Sequence, residues 1–328
     1  MAPTRSTFFE DVRSGHELPP FQVTVNIQQL VRYAEGSRDY ARIHTDDEAG
    51  KKSPWGSVIL HGMIKSGFLA KASGDFAGPE GLVRRIKIYY RRPDLPGDPL
   101  TIGGSVVKAY ESKDDHLADL ELWLRNGKGE VSTTAAATVA LPSKAGGRVR
   151  WMPLPADLDV PAGDPTKQRE WEFPNPDKVK ASAGQPWQPR SDVISAFWIR
   201  LFCRGTSDMN LLYVDEAVAA RGQHGTIIAP PTFPAALDPF YFWQEEVQAR
   251  PPQPSRGLRV GGNGWDDFEH FAAIRPGDTI TAFGHWLEPF EKPGRNGTLV
   301  FIPREVVYVN QHQHIAARSR GAIIQVRP

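Results

Sequence analysis

Tyr33-Ala-Glu-Gly-Ser-Arg-Asp39-Tyr-Ala-Arg-Ile-His44-Thr-Asp46 places a carboxylate and an imidazole five residues apart. Downstream, Gly56-Ser-Val-Ile-Leu-His61-Gly62-Met63 offers a glycine at the start of an apolar, helix-like run. On a continuous α-helix, residues five apart point about 140° away from each other. Asp39 and His44 therefore meet in one cleft only if the helix breaks between them. Ser37, Arg38 and Asp39 suit a helix end or loop, and Thr45 or Asp46 can cap the next helical segment. On these residues alone, Asp39 as a cap and His44 as a structural hydrogen-bonding residue is the plainer reading.

Moving outward, Asn26 caps a helical pattern carried by Ile27, Leu30, Val31 and Ala34. A second helix is expected from Gly62 through Met63, Ile64, Gly67, Phe68 and Leu69. Its glycines are poor helix formers, but they permit the close approach of a surrounding sheet. Strand patterns come next at 82–90, 100–109, 117–124 and 131–141, with turns at Asp94-Leu-Pro-Gly-Asp98 and Asn126-Gly-Lys-Gly129.

The frame then recurs at an offset of 169 residues: Phe202 for Tyr33, Gly205 for Gly36, Asp208 for Asp39, Asp215 for Asp46 and Gly225 for Gly56. Pro96-Gly97-Asp98 and Pro276-Gly277-Asp278 match at 180, implying an 11-residue insertion in the second copy around Arg250 to Gly262. A helical pattern is expected around Ser191, with Val193, Ile194, Phe197, Leu201 and Phe202. A short helix is expected after Pro230-Pro231-Thr232, and strands at 279–285, 298–309 and 315–326. Each copy reads as helices succeeded by several antiparallel strands. The division is 1–141, a bridge at 142–189 holding nine prolines, and 190–328. Trp151, Trp171, Phe173 and Trp187 suit a bridge that is laid along a surface rather than free.

Composition narrows the function classes. The chain of 328 residues has 40% hydrophobic residues and a net charge of +1, without the one-sided basic field of a nucleic-acid binder. Its single cysteine, Cys203, excludes an intrachain disulfide and reads as a buried thiol. The amino terminus lacks a secretion-type apolar segment, and no apolar run approaches the roughly 20 residues of a membrane span. A soluble, cytoplasmic protein is the expectation. His312 and His314 would share one strand face, but no third ligand accompanies them, and no metal site is expected.

A carboxylate and an imidazole can hold one water between them and exchange its proton as a C–O bond forms or breaks. A backbone N–H at a helix start can receive an enolate oxygen. Gly62 is the first choice for that donor and Gly56 the second, while His61 is expected to pack or to support its neighbours. The 33–63 segment resembles the signature of the MaoC-like (R)-specific enoyl-CoA hydratase/dehydratase family. That resemblance implies an α+β double hot-dog fold, each half a central helix wrapped by a curved antiparallel sheet. It implies Asp39 and His44 as the water-activating pair and Gly62 in the His-Gly-Met element that opens the central helix. The family's Gly-Asp-x-Asn-Pro becomes Arg38-Asp39-Tyr40-Ala41-Arg42 here.

The second copy keeps Asp208 but has Tyr213 in place of His44. A phenol with its ordinary pKa near 10 is a poor base at neutral pH. Pro231 replaces Gly62 and has no N–H to donate. The resemblance therefore implies one catalytic half and one degenerate half that shapes the acyl site, with Phe233, Phe240, Tyr241, Phe242 and Trp243 as lining or as core. The implied reaction is reversible hydration of a trans-2-enoyl thioester to an (R)-3-hydroxyacyl thioester. No redox or metal cofactor is implied. Coenzyme A is expected as part of the substrate, ahead of acyl-carrier protein, and a homodimer is compatible. Arg84, Arg85, Lys87, Arg91 and Arg92 are either a phosphate-binding segment or a solvated strand face. Thioester hydrolysis and a noncatalytic acyl-thioester-binding subunit are the alternatives.

Overall fold

A computed structural model of the chain describes residues 6–163, 174–240, 257–295 and 297–328. The first half contains strand β1 (Glu17–Thr24), helices α1 (Ile27–Ser37), α2 (Arg42–Thr45), α3 (Asp47–Lys51) and α4 (Gly62–Ala77), then strands β2 (Leu82–Tyr90), β3 (Pro99–Ser112), β4 (Asp115–Arg125) and β5 (Val131–Ala140). After α5 (Pro176–Ala181), the second half contains β6 (Arg190–Val193), α6 (Ala196–Gly205), α7 (Leu211–Val214), α8 (Glu216–Ala219), a 3-10 turn at Phe233–Leu237, β7 (Arg259–His270), β8 (Thr279–Trp286), β9 (Phe290–Gly294), β10 (Gly297–Val309) and β11 (Ile315–Arg327). The strands form one antiparallel sheet in the order β1-β3-β4-β5-β2-β7-β11-β10-β8-β6, with β9 paired to β10. The halves join where β2 lies antiparallel to β7, from Arg85 opposite Glu269 to Tyr89 opposite Trp265.

Helix α4 runs through the first half, and all its residues except Gly62, Lys71 and Asp75 are buried. A helix apolar nearly all round needs cover on every side, and β2, β3, β4 and β5 all contact it. Inside this core Lys65 is held by Asp94 at 2.9 Å and donates to the Arg92 carbonyl, while Ser132 Oγ donates to the same carboxylate. Burial pushes the Lys65 pKa down, and Asp94 opposes that shift. The pair ties the 91–98 connection to the central helix, and the Leu60 N–H donates to the Asp94 carbonyl just before α4 begins.

The sequence repeat is visible in the hydrogen bonds. Asn26 caps α1 by accepting from the Gln29 N–H, and Ser195 caps α6 by accepting from the Trp198 N–H. Gln29 then donates to the Gly205 carbonyl, and Trp198 Nε1 donates to the Gly36 carbonyl. Ile59 N–H meets the Ile43 carbonyl as Ile228 N–H meets that of Leu212. Gly97 N–H donates to Val25, and Gly277 N–H to Ile194. Such reciprocal contacts define an internal two-fold relation between the halves.

That relation needs two helix backbones to touch. A Cβ at Gly36 would lie 2.7 Å from Phe202 Cα, and one at Gly205 would lie 2.8 Å from Tyr33 Cα. In α4, Gly67 similarly admits Thr206, beyond the end of α6. The glycines expected to face the sheet thus include one that admits the second half's helix end instead.

Several expectations shift. Arg190–Val193 is strand β6, and the helix begins only at Ala196. His312 and His314 occupy the turn between β10 and β11, where their N–H groups donate to Asn310 Oδ1. Strand β1 escapes notice because of Pro19 and Pro20, which an edge strand tolerates at a register shift. Strand β7 is hidden by Gly261, Gly262, Gly264 and its acids. Asp267 and Glu269 pair across strands with Arg85 and Arg318, so charge pairing replaces apolar alternation. In the bridge, Trp187 is buried against Trp286, and Trp151 packs beside His224 and His270. Trp171, Phe173, Tyr241, Phe242, Trp243 and much of the expected insertion lie outside the described residues.

Replacing Gly36 or Gly205 by alanine should each lower stability by about 1–3 kcal/mol through overpacking. Urea midpoints measure this, and unchanged midpoints in both variants would contradict the helix contact.

Candidate active site

The break between Asp39 and His44 is built by α1 ending at Ser37 and α2 starting at Arg42. Arg38 takes the left-handed conformation, φ 60°, and its counterpart Ser207 has φ 55°. A glycine would adopt that conformation without strain. Arg38 is instead held by Asp192 at 2.9 Å and by the face of Trp198, 4.0 Å from its guanidinium carbon. Both partners belong to the second half, so the first half's site loop is fixed from across the interface.

Asp39, His44 and His61 come together, with one ligand-type atom from each lying within 4.8 Å of the others. Asp39 is 7% exposed and His44 9% exposed, while His61 is fully buried. Asp39 Oδ1 accepts from the Ala41 N–H. His44 Nδ1 lies 2.8 Å from the Ile59 carbonyl. A carbonyl only accepts, so Nδ1 carries the hydrogen and Nε2 presents its lone pair. By the same reasoning His61 Nε2 donates to the Asp39 backbone carbonyl at 3.0 Å.

The His44 and His61 rings stack with centroids 4.0 Å apart, and Tyr33 meets His61 edge-on. Burial, followed by the neighbouring His44, holds the His61 pKa well below its ordinary value. A neutral His61 supports His44 without placing a cation beside it. A carboxylate beside an imidazole with an available lone pair suits proton exchange with a held water.

Gly62 comes directly after His61 and is the first residue of α4, whose amino end has no side-chain cap. The N–H groups of that first turn have no partner within the helix, and the helix dipole makes this end positive. An oxygen developing negative charge is favoured there.

The second cleft differs in each respect. Asp208 and Tyr213 are buried, and burial raises both, Asp208 to about 7 and Tyr213 well above its usual value. Where α4 follows Gly62, the described residues from Pro231 to Phe240 make only the short 3-10 turn at Phe233–Leu237. A cavity of about 20 Å³, roughly a water's worth of room, lies among Val83, Trp151, Asn210, Tyr213, Pro231 and His270. The carboxyl end of α4 reaches this cleft: a Cβ on Gly74 would lie 3.4 Å from the Tyr213 hydroxyl. One central helix thus turns its positive end to the first cleft and its negative end to the second.

Most of the basic segment faces acids. Arg84 pairs with Asp115, Arg85 and Lys87 face Asp267, and Arg92 pairs with Glu130. Phe233 and Phe240 are core residues, packed edge-on against Phe202 and Trp286 respectively. Cys203 is buried, with its pKa pushed upward by burial. His61, expected to pack or to support its neighbours, stacks on His44, whereas the buried Lys65–Asp94 pair carried no signal in the sequence.

The raised Asp208 pKa fixes a sign. Between about pH 4 and 7 the folded state keeps a proton that the unfolded chain has lost, so this group's stabilising contribution falls as pH rises through that window. Asp208→Asn should therefore melt higher than wild type at pH 8, by on the order of a few degrees, and gain less at pH 4. Equal differences at both pH values in thermal melts would contradict a buried, protonated carboxyl.

The comparisons agree with this architecture. The MaoC like domain matches residues 15–118, and the FAS1-like dehydratase domain region matches residues 181–318. No curated protein matches the chain significantly in sequence. Among solved structures, the chain is similar to a putative MaoC domain protein dehydratase from Chloroflexus aurantiacus J-10-fl, with 12% identity, 98% of each chain covered and a TM-score of 0.72. It is also similar to a conserved hypothetical protein with a double hotdog fold from Mycobacterium tuberculosis, with 16% identity, 98% of each chain covered and a TM-score of 0.67. A MaoC-like dehydratase from Phytophthora capsici has 13% identity and a TM-score of 0.56, covering 94% of this chain and 96% of its own. The chain thus has a double hot-dog fold, with residues 15–118 similar to a MaoC like domain and residues 181–318 similar to a FAS1-like dehydratase domain region.

Proposed function

We propose that the protein catalyses the reversible hydration of a trans-2-enoyl-CoA to the (R)-3-hydroxyacyl-CoA. The observation that carries this reading is the convergence of Asp39 and His44, with the His44 Nε2 lone pair left available, near the uncapped start of α4. Asp39 and His44 hold a water, and His44 Nε2 takes its proton as the water oxygen bonds to C3. The C2=C3 electron pair moves onto the thioester oxygen, where the Gly62 N–H receives the enolate. The pair then returns to C2 and takes up a proton from the same relay, completing the addition of one water. Dehydration reverses these steps.

The same convergence weighs against a noncatalytic binding subunit, which has no need of an oriented base. Hydrolysis of the thioester would require attack at C1 instead. A spectrophotometric assay that follows enoyl absorbance and free thiol separately distinguishes the two.

Asp39→Asn and His44→Ala should each reduce kcat for hydration by about 10²–10⁴-fold, while Tyr213→Phe should change it less than about 3-fold, since its hydroxyl has no role in the proton transfer. Equal losses in all three variants, with folding and acyl-CoA binding intact, would contradict chemistry in the first half alone. Thiol release that keeps pace with loss of the enoyl group would favour hydrolysis.

A further inference from the structure

The space beside Gly62 is closed by residues outside its own motif. A Cβ at position 62 would lie 3.1 Å from Asn263 Nδ2 and 3.4 Å from Tyr90 Cε1. Helical Cα–Cβ bonds tilt toward the amino end. A group filling the Cβ position of the first residue of α4 therefore stands over the end where the unpaired N–H groups point. Asn263 belongs to β7 of the second half, opposite Ile323, and is only partly buried. Tyr90 is fixed behind it by Ser66 Oγ at 2.6 Å and by donating to Asp266 Oδ2 at 2.7 Å.

The internal two-fold relation shows what this position means. At the offset that relates Gly97 to Gly277, Asn263 corresponds to Val83 and Tyr90 to His270, while Pro231 stands for Gly62. Val83, His270 and Pro231 all border the small cavity of the second cleft, together with Tyr213. By the same relation their counterparts Asn263, Tyr90 and Gly62 stand together at the start of α4. Where the degenerate cleft has an apolar Val83, this cleft has a carboxamide. Gly62 thus has a second reason to lack a side chain: a Cβ would crowd the amide reaching in from the other half.

We propose that Asn263 is a catalytic residue of the first cleft. Its side-chain N–H donates to the thioester oxygen alongside the Gly62 N–H, strengthening as the enolate forms. This inference rests on the hydratase reading, and it gives the second half a chemical contribution besides shape. A carboxamide donor aimed at a developing oxyanion is worth more in the transition state than in the ground state.

The test compares wild type, Asn263→Val, Asn263→Ser and Val83→Asn on a panel of trans-2-enoyl-CoAs, with saturated acyl-CoA affinity and melting temperature measured in parallel. Asn263→Val should lower kcat by about 10–100-fold, somewhat less than loss of a dominant oxyanion donor. Its affinity for butyryl-CoA, which forms no enolate, should stay near wild type. Asn263→Ser, which keeps a short donor, should recover part of the rate and guards against a folding failure of the valine variant. Val83→Asn in the second cleft should leave the rate unchanged. Wild-type kcat in both folded Asn263 variants would overturn the inference while leaving the hydratase reading intact. A wild-type protein that hydrates no enoyl-CoA of the panel would overturn both.

Discussion

Two helices touching through glycine set the geometry of this protein. Where α1 crosses α6, Gly36 lies against Phe202 and Gly205 against Tyr33, each close enough that a methyl group would collide with backbone. The contact is reciprocal, so it fixes the halves in one relation rather than a range of them. Asp39 and Asp208 lie three residues beyond these crossing points, and their placement is a consequence of the crossing. Gln29 and Trp198 then donate to the carbonyls of the opposing glycines, satisfying helix-end groups that the crossing would otherwise strand.

From one symmetric frame the chain makes two unlike clefts. The first has an imidazole with a free lone pair, a buried neutral histidine beneath it and the positive end of a long helix. The second has a buried phenol, a carboxyl raised to about 7 and a proline where the glycine stood. Each change removes a part that proton transfer or oxyanion binding requires. The halves remain dependent on one another, because Arg38 of the first is held by Asp192 and Trp198 of the second.

The Asp39–His44 break, the helix starting at Gly62 and the 169-residue repeat were legible because each depends on residue types at fixed spacing. The longer strands were legible through alternation, as at Leu82–Tyr90. Strand β7 was not, because its acids find their partners in Arg85 and Arg318 on the neighbouring strands and in Arg304 on β10, one strand further. The five-residue spacing suggested a pair, and His61, legible as a supporting residue, has its particular partner His44 only once the chain returns to α4. Asn263 was illegible for the same reason: its partner Gly62 lies in the other half, and no local pattern links them. The basic run at Arg84–Arg92 left two readings open, and the acids that pair with Arg84, Arg85, Lys87 and Arg92 come from elements the run itself does not reveal.

That one cleft alone performs the chemistry is tested most directly by a crystal structure of the protein with a 3-hydroxyacyl-CoA bound. C3 and its hydroxyl should lie between Asp39 and His44, with the thioester oxygen at the start of α4 beside Gly62. An acyl group seated at Asp208 and Tyr213, or a C3 beyond the reach of Asp39 and His44, would contradict it.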